Sequence, residues 1–346
     1  MTDIGFGIVG CGIICNQHVD AVNETPGASV AAFCDVCEEK AIDFAQTYKV
    51  PHYSSLETML RNDDVKAICI CTPSSLHSDI TIAAARAGRH VLTEKPMAVT
   101  PADMNRMITA CKDAGVKLGV VFQRRTTPRF EMIRNALSNG ELGRPVLGSV
   151  YMKYYRGQDY YDSGEWRGTW KYDGGGCLMN QGIHMIDLLL WFMGPVKSVQ
   201  GKVATLARQM ETEDTAAAVL EFQSGALGVI EATTAAYPPE IPHRLDIHGD
   251  RGSIMIEEER IVRWQTMDKE GYLIDKLQAA PAREKAILDA EDGWNDGHRA
   301  LIADMVAAIK ENRPPLIPGE EGRKAVDLIL SIYQSAREGK RLEILA

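Results

Sequence analysis

The residues best able to do chemistry in this chain stand where apolar runs end. In "RHVLTEKPMAVT", residues 89–100, a run that reads as a buried strand ends by setting Glu94 and Lys95 immediately before Pro96. A proline restricts the residue before it to extended conformations, so the Lys95 ammonium leaves the strand end in a defined direction. A lysine partly withdrawn from water beside a cationic ring has a lowered pKa, as a general base for an alcohol proton requires. The plain alternative is a surface Glu–Lys pair.

A second set lies in "DGGGCLMNQGIHMIDLLLWFMG", which reads as a glycine loop followed by a helix over 177–193 that Gly194 and Pro195 stop. Asn180 and His184 are four apart and share a face of that helix, with Asp187 three further along. Ile183, Met185, Ile186 and Leu188 to Trp191 around them are apolar, so the alternative role of His184 is a satisfied core histidine. Three consecutive glycines are costly in entropy, and here they are expected to let the backbone pass close to a ligand.

A third set, "GIVGCGIIC", places Gly10 and Gly12 directly after the first apolar run, with Cys15 where the third glycine of GxGxxG would fall. The first glycine permits a tight turn, and the second lets main-chain N–H groups at Ile13 and Ile14 approach a pyrophosphate at a helix N-terminus. Asp35 ends the second run about 20 residues on, where a carboxylate accepts the hydroxyls of an adenosine ribose. Val36 and Cys37 follow it, and no arginine is there to neutralise a 2′-phosphate. This favours NAD over NADP; Lys40 is the nearby cation.

The elements that must position these groups come in two rhythms. Through residue 123, "IGFGIVG", "SVAAFCD", "VKAICICT", "RHVLTE" and "KLGVVFQ" read as strands, separated by helical stretches at 37–48, 75–87 and 101–114. Continuous apolar strands linked by helices make a parallel sheet covered on both faces. Ligands sit beyond the carboxyl ends of such strands, so Thr72, Pro73 and His77 of "CTPSSLH" should line one crevice with Glu94 to Pro96.

After Pro128 a helix at 128–139 leads to "PVLGSVYMKYY". "DTAAAVLEFQSGALGVIEATTA" then reads as two strands around a Ser–Gly turn, and "RLDIHGDRGSIMIEEERIVRW" repeats the hairpin with Gly249 and Gly252. Short turns force antiparallel pairing, so a second, differently built domain follows. Helices at 294–311 and 319–338 close the chain. The segment "YMKYYRGQDYYDSGEWRGTWKY" holds eight Tyr or Trp in 22 residues, which suits either the C–H face of a sugar ring or the packing of an interface.

Composition removes several classes. A formal charge of −9 argues against a nucleic-acid partner. The start "MTDIGFGIVG" has no basic leader and no apolar run reaches a membrane span of about 20 residues, so a soluble, cytoplasmic protein is expected. Eight cysteines mostly inside apolar patterns read as reduced thiols, the Cys34–Cys37 pair included, and no metal is expected.

The glycine turn, "CTPSSLH", "EKP", "QRRTTP", "WRGTW" and "DGGGCLMNQGIHMIDLLLW" together resemble the glucose–fructose oxidoreductase, inositol dehydrogenase and rhizopine catabolism family (Gfo/Idh/MocA) over almost the whole chain. The resemblance implies an α/β protein. An N-terminal Rossmann domain would cover 1–123, and an α/β domain with an open, mostly antiparallel sheet would cover 124–346, bind substrate and build a homodimer or homotetramer. Lys95 looks like the family's catalytic lysine, with Glu94 and Lys95 near the nicotinamide ribose. His184 looks like its partner in proton transfer.

The reaction implied is reversible hydride transfer between NAD and a carbon bearing a secondary alcohol in a sugar, sugar acid, nucleotide-sugar or cyclitol. Gln123, Trp166 and Arg167 would join the cofactor site; Arg125, Arg167 and Asn180 would hold substrate. Inositol dehydrogenase-like members carry Asp where this chain has Asn180, which takes no proton and is left to orient substrate. "NQGIH" and "WRGTW" look more like the branch that oxidises nucleotide-linked N-acetylhexosaminuronates at C3. Two alternatives share the fold: a glycoside-cleaving enzyme working by transient C3 oxidation and elimination, and a non-catalytic NAD-binding regulator.

Overall fold

The computed structural model describes residues 3–290 and 296–344, which pack as two compact units. The first takes the chain up to Thr126 and a later segment that ends at Arg323; the second starts at Thr127 and also takes the chain from Lys324 on.

In the first unit, β1 (Ile4–Val9), β2 (Ala28–Cys34), β3 (His52–Tyr53), β4 (Ala67–Ile70), β5 (His90–Thr93) and β6 (Leu118–Val120) form one sheet in the order β3-β2-β1-β4-β5-β6. All of its pairings are parallel. Both faces must be covered, which is why Phe6, Ile8, Ile68, Ile70, Val91 and Leu92 are all buried whichever face they point to. Strand order reverses between β1 and β4, and the crevice at that switch point is where such sheets bind ligands. The expected strands are all present. β3, with two residues, is too short to leave a periodic signal.

The helix Asp296–Lys310 belongs to this first unit and packs on the helix Cys15–Asn23, burying Leu301, Ile302 and Met305. A single boundary at 123/124 makes no provision for that return. Residues 294 and 295, where this helix was expected to begin, lie outside the described residues.

The second unit is built on β7 (Pro145–Lys153), β8 (Val196–Ala204), β9 (Thr215–Phe222), β10 (Leu227–Thr233), β11 (Arg244–Gly249), β12 (Gly252–Glu257), β13 (Arg260–Met267), β14 (Leu273–Asp275) and β15 (Leu342–Glu343). Their order is β14-β13-β12-β11-β7-β10-β9-β8-β15. Only β7 and β10 pair in parallel; the other pairings are antiparallel. The expected Ser–Gly turn joins β9 to β10, with Gly225 at φ +85°. β8 went unread because the valines of "VKSVQGKVA" do not alternate regularly.

The helix Ile183–Met193 lies against β7. Gly148 makes room for it, since a Cβ there would stand 2.7 Å from Met193 Cγ. This helix is shorter than the expected 177–193. Cys177–Gly182 is wound as a π-helix, and only then does α geometry begin. Gly194, at φ +85°, ends it as expected. No helix among the described residues is long and apolar enough to cross a membrane. All eight cysteines are free, with Cys34 buried and Cys37 exposed.

Candidate active site

The glycine turn of the first unit has the shape of a dinucleotide cradle. Gly10 has φ +95° and a Cβ there would come within 2.8 Å of the Cys71 main chain, so no other residue fits. A Cβ at Gly12 would meet nothing within 4 Å, which leaves open space over the turn. Cys15, at the third position of the motif, is fully buried. Ile13 projects its side chain into solvent, so only its main chain is available to a phosphate. Ile14 occupies the N-cap of the helix Cys15–Asn23.

Asp35 is fixed by the same turn. Its Oδ2 accepts the Cys11 N–H at 2.7 Å and its Oδ1 accepts the Cys37 N–H at 2.8 Å. Each oxygen keeps a lone pair, which is what a ribose diol requires. Val36 beside it is 95% exposed and brings no cation. These residues fit an adenosine diphosphate.

At the neighbouring strand ends, Thr72, Pro73 and Lys95 are half-buried. His77 is not turned toward the crevice as expected: it is buried, with Nδ1 2.9 Å from the Pro96 carbonyl and Nε2 2.9 Å from the Thr72 carbonyl. Burial lowers its pKa, against which the two carbonyls and the Glu94 charge act. The ring ties the "CTPSSLH" loop to the "EKP" loop. Glu94 is likewise buried and bonded to His18 at 2.8 Å. The Lys95–Pro96 peptide is cis. Gln123 and Arg125 sit in the 3₁₀ turn Gln123–Thr126, with Gly297 packed on Gln123 and the buried Arg125 guanidinium 3.4 Å from Glu321.

In the second unit the glycine triplet has a different cause from the one expected. A Cβ at Gly176 would lie 1.8 Å from the Glu213 carbonyl oxygen, and one at Gly175 would lie 2.2 Å from Tyr333 Oη. The backbone passes close to the protein itself. The Glu213 carboxylate accepts the N–H of Gly176 at 2.9 Å and of Leu178 at 3.0 Å, and so holds the π-wound turn. Asp214 accepts the N–H groups of Leu206, Ala207 and Arg208 and shapes the loop beside it.

That turn carries Asn180, whose amide donates to Asp173 at 2.9 Å, while Asp173 also accepts the Gly168 N–H. His184 is half-buried, whereas Ile183 and Met185 to Leu189 are all buried. It is the partly exposed member of the stretch Ile183 to Leu189, as a site histidine would be.

Gln181 donates to Tyr160 Oη at 3.2 Å, and Tyr160 is covered by guanidinium groups, Arg167 at 4.3 Å and Arg156 at 5.3 Å from the ring centre. Arg167 also stacks on Trp166, and Arg208 on Tyr155. Other aromatics of the segment are structural: Tyr161 is buried against Thr234 and Trp170 packs on Tyr333. Glu213, Asp214, Tyr333, Arg156 and Arg208 were not among the expected site residues. An acidic pair in "ETEDT" beside a strand was the one signal available for the first two.

The fold and the turn define a class, the Rossmann oxidoreductases that bind NAD, and residues 4–122 match the NAD-binding Rossmann domain of that oxidoreductase family. Residues 130–255 match the GFO/IDH/MocA C-terminal domain, and the chain belongs to the GFO/IDH/MocA family. It is similar to the WlbA dehydrogenase of Bordetella pertussis, solved with NADH and UDP-GlcNAcA, at 35% identity and TM-score 0.88 over 99% of both chains. The WlbA dehydrogenase of Chromobacterium violaceum, solved with the same pair, is 32% identical with TM-score 0.90, over 100% of this chain and 97% of that one. The myo-inositol 2-dehydrogenase of Thermotoga maritima is 26% identical over 98% of each chain. The protein is an NAD-dependent oxidoreductase.

Proposed function

We propose that this enzyme oxidises a ring secondary alcohol of a nucleotide-linked sugar acid, of the N-acetylhexosaminuronate kind. The observation that carries this is the set Arg156, Arg167 and Arg208. None of the three has a carboxylate partner among the described residues, although the chain as a whole is acidic, and all three lie on aromatic rings beside the turn that bears Asn180. Guanidiniums without a carboxylate partner suit diphosphate and carboxylate groups, and the rings suit a sugar or a base.

When bound, NAD supplies the hydride acceptor. Lys95 removes the hydroxyl proton, His184 positions that hydroxyl or passes the proton on, and Asn180, held by Asp173, orients the ring. Asp35 and the glycine turn bind the adenosine half. Gln123, Trp166, Arg167 and Arg125 complete the cofactor and substrate contacts.

The enzyme acts as a homodimer or homotetramer. Support comes from the outer sheet face, where Leu147 pairs with Leu227 and Val219 with Val229, leaving exposed apolar side chains on adjacent strands. Its eight free thiols suit the reducing cytoplasm.

The test is NADH formation across UDP-N-acetylglucosaminuronate, neutral sugars and inositol. The uronate should be preferred, and Arg167→Met should raise its KM by about tenfold, a loss of roughly 1.4 kcal/mol of binding. Turnover of inositol in preference to the uronate would overturn the substrate, and unaltered KM in the variant would remove Arg167 from it.

A further inference from the structure

Glu94 precedes the lysine in sequence, yet its carboxylate points the other way. Oε1 receives His18 Nε2 at 2.8 Å, and His298 Nε2 lies 3.4 Å from the same oxygen. Oε2 accepts the main-chain N–H of Lys95 at 3.2 Å. His18 comes from the helix Cys15–Asn23 that follows the glycine turn, and His298 from the helix Asp296–Lys310. All three side chains are buried within the first unit, and the two imidazoles meet edge to face with ring centres 5.2 Å apart.

Two histidines and a carboxylate are also a zinc-type donor set, and their ligand atoms lie within 4.8 Å of one another. The His18–Glu94 spacing is that of a hydrogen bond. Two donors on one tetrahedral zinc, each about 2.1 Å from it, stand about 3.4 Å apart, whereas His18 and Glu94 are at 2.8 Å, the length of a charge-assisted hydrogen bond. Burial alone would raise the Glu94 pKa, but the two imidazoles overcome it and hold the carboxyl well below its usual range. The other titratable groups facing it are the Cys69 thiol of β4, the Cys71 thiol just after that strand, and His77 from the helix His77–Arg86.

We propose that His18 and His298 are positioning residues: they turn Glu94 inward and fix it, so that its second oxygen holds the Lys95 amide and sets where the Lys95 side chain stands. The inference rests on the reading of Lys95 as the proton acceptor. Glu94 is then no ligand of the nicotinamide ribose. The arrangement links the helix at the dinucleotide turn to the strand end that carries the base, because one carboxylate is bonded to both. A misplacement of about 1 Å at a reacting group costs on the order of a hundredfold in rate, so loss of the clamp should appear in turnover and not in cofactor affinity.

The test uses the full-length protein with Glu94→Gln, His298→Leu and His298→Gln, the last of which can still donate from the position of Nε2. Three quantities are read: the NADH dissociation constant by fluorescence titration, the pH profile of kcat with whichever hydroxyl substrate the unaltered enzyme turns over, and the ¹⁵N imidazole shifts of His18 and His298. Glu94→Gln and His298→Leu should lower kcat by about tenfold or more and move the limb of the pH profile that reports the base, with NADH binding within about twofold. His298→Gln should restore most of the rate, and Glu94→Gln should change the ¹⁵N imidazole signals of both His18 and His298.

A tenfold loss of NADH affinity in Glu94→Gln with kcat intact would make Glu94 a cofactor ligand and overturn the proposal. So would wild-type rate and pH profile in His298→Leu, or stoichiometric zinc in the purified protein. If leucine at 298 prevents folding, Glu94→Gln and the imidazole shifts decide alone. Failure to oxidise a nucleotide-sugar would overturn the proposed substrate and leave the binding and imidazole measurements to judge this clamp.

Discussion

Tyr333 donates its hydroxyl to Glu213 at 2.9 Å, and the pair is buried beneath the glycine triplet. The same carboxylate receives the N–H groups that begin the π-wound turn. Asn180 is therefore placed by a residue far from it in sequence and by a tyrosine further still. Gly175 and Gly176 are glycine because Tyr333 and Glu213 already fill the space that side chains would need, and Gly174 has φ +78°.

Burial raises the Glu213 pKa, and its hydrogen-bond donors, Tyr333 among them, oppose that rise. A folded-state pKa above the unfolded one means that the contribution to stability is fully present below the ordinary carboxyl range and is lost as pH climbs through the folded value. Tyr333→Phe removes one donor. It should cost about 1 kcal/mol and move that loss to higher pH, which urea unfolding of both proteins across the acid range would reveal. Identical pH dependence in the two would show that Tyr333 does not bear on the carboxylate.

The first unit was largely legible because its signal is local. Apolar runs gave β1, β2, β4, β5 and β6, and Gly10, Gly12 and Asp35 lie in turns that their own neighbours define. What escaped depends on partners distant in the chain. Nothing near residue 94 announces His18 or His298, and nothing near residue 176 announces Glu213 or Tyr333. The π winding of Cys177–Gly182 was hidden because an apolar segment of that length carries the same pattern in either helix. The aromatic segment divided between both readings: Tyr161 and Trp170 pack, while Tyr160 and Trp166 carry arginines.

Asp35 accepts two main-chain N–H groups and stands beside an exposed Val36. Its charge would repel a 2′-phosphate, so NAD should bind at least about tenfold tighter than NADP, roughly 1.4 kcal/mol. Asp35→Ala should narrow that gap and weaken NAD itself, because the Cys11 N–H at the turn loses its acceptor. Isothermal titration with both dinucleotides measures it; equal affinities in the unaltered protein would refute the assignment.

His184 is half-buried, while Ile183 and Met185 to Leu189 around it are closed to solvent. Asparagine in a wet position replaces one polar group by another, so His184→Asn should melt close to the unaltered protein while losing most of its turnover. A core histidine would behave differently, since an unsatisfied buried group costs about 1 to 3 kcal/mol and activity would follow stability. Thermal melts set beside initial rates separate the two.

Glu94 gives the acid limb of stability its sign. Burial acts to raise its pKa, but the hydrogen bonds and charges of His18 and His298 prevail and hold it well below the ordinary carboxyl range. A depressed folded-state pKa means that the stabilisation is present above the unfolded value and is lost as pH falls through the folded one. This is the reverse of Glu213. Glu94→Gln should therefore flatten the fall in stability on the acid side while lowering stability near neutrality, where the charged clamp is intact. Guanidinium midpoints from neutral pH down through the carboxyl range would show the two curves converging as the medium becomes more acidic. Parallel curves would mean that Glu94 carries no linkage, and that the imidazoles do not hold it ionised.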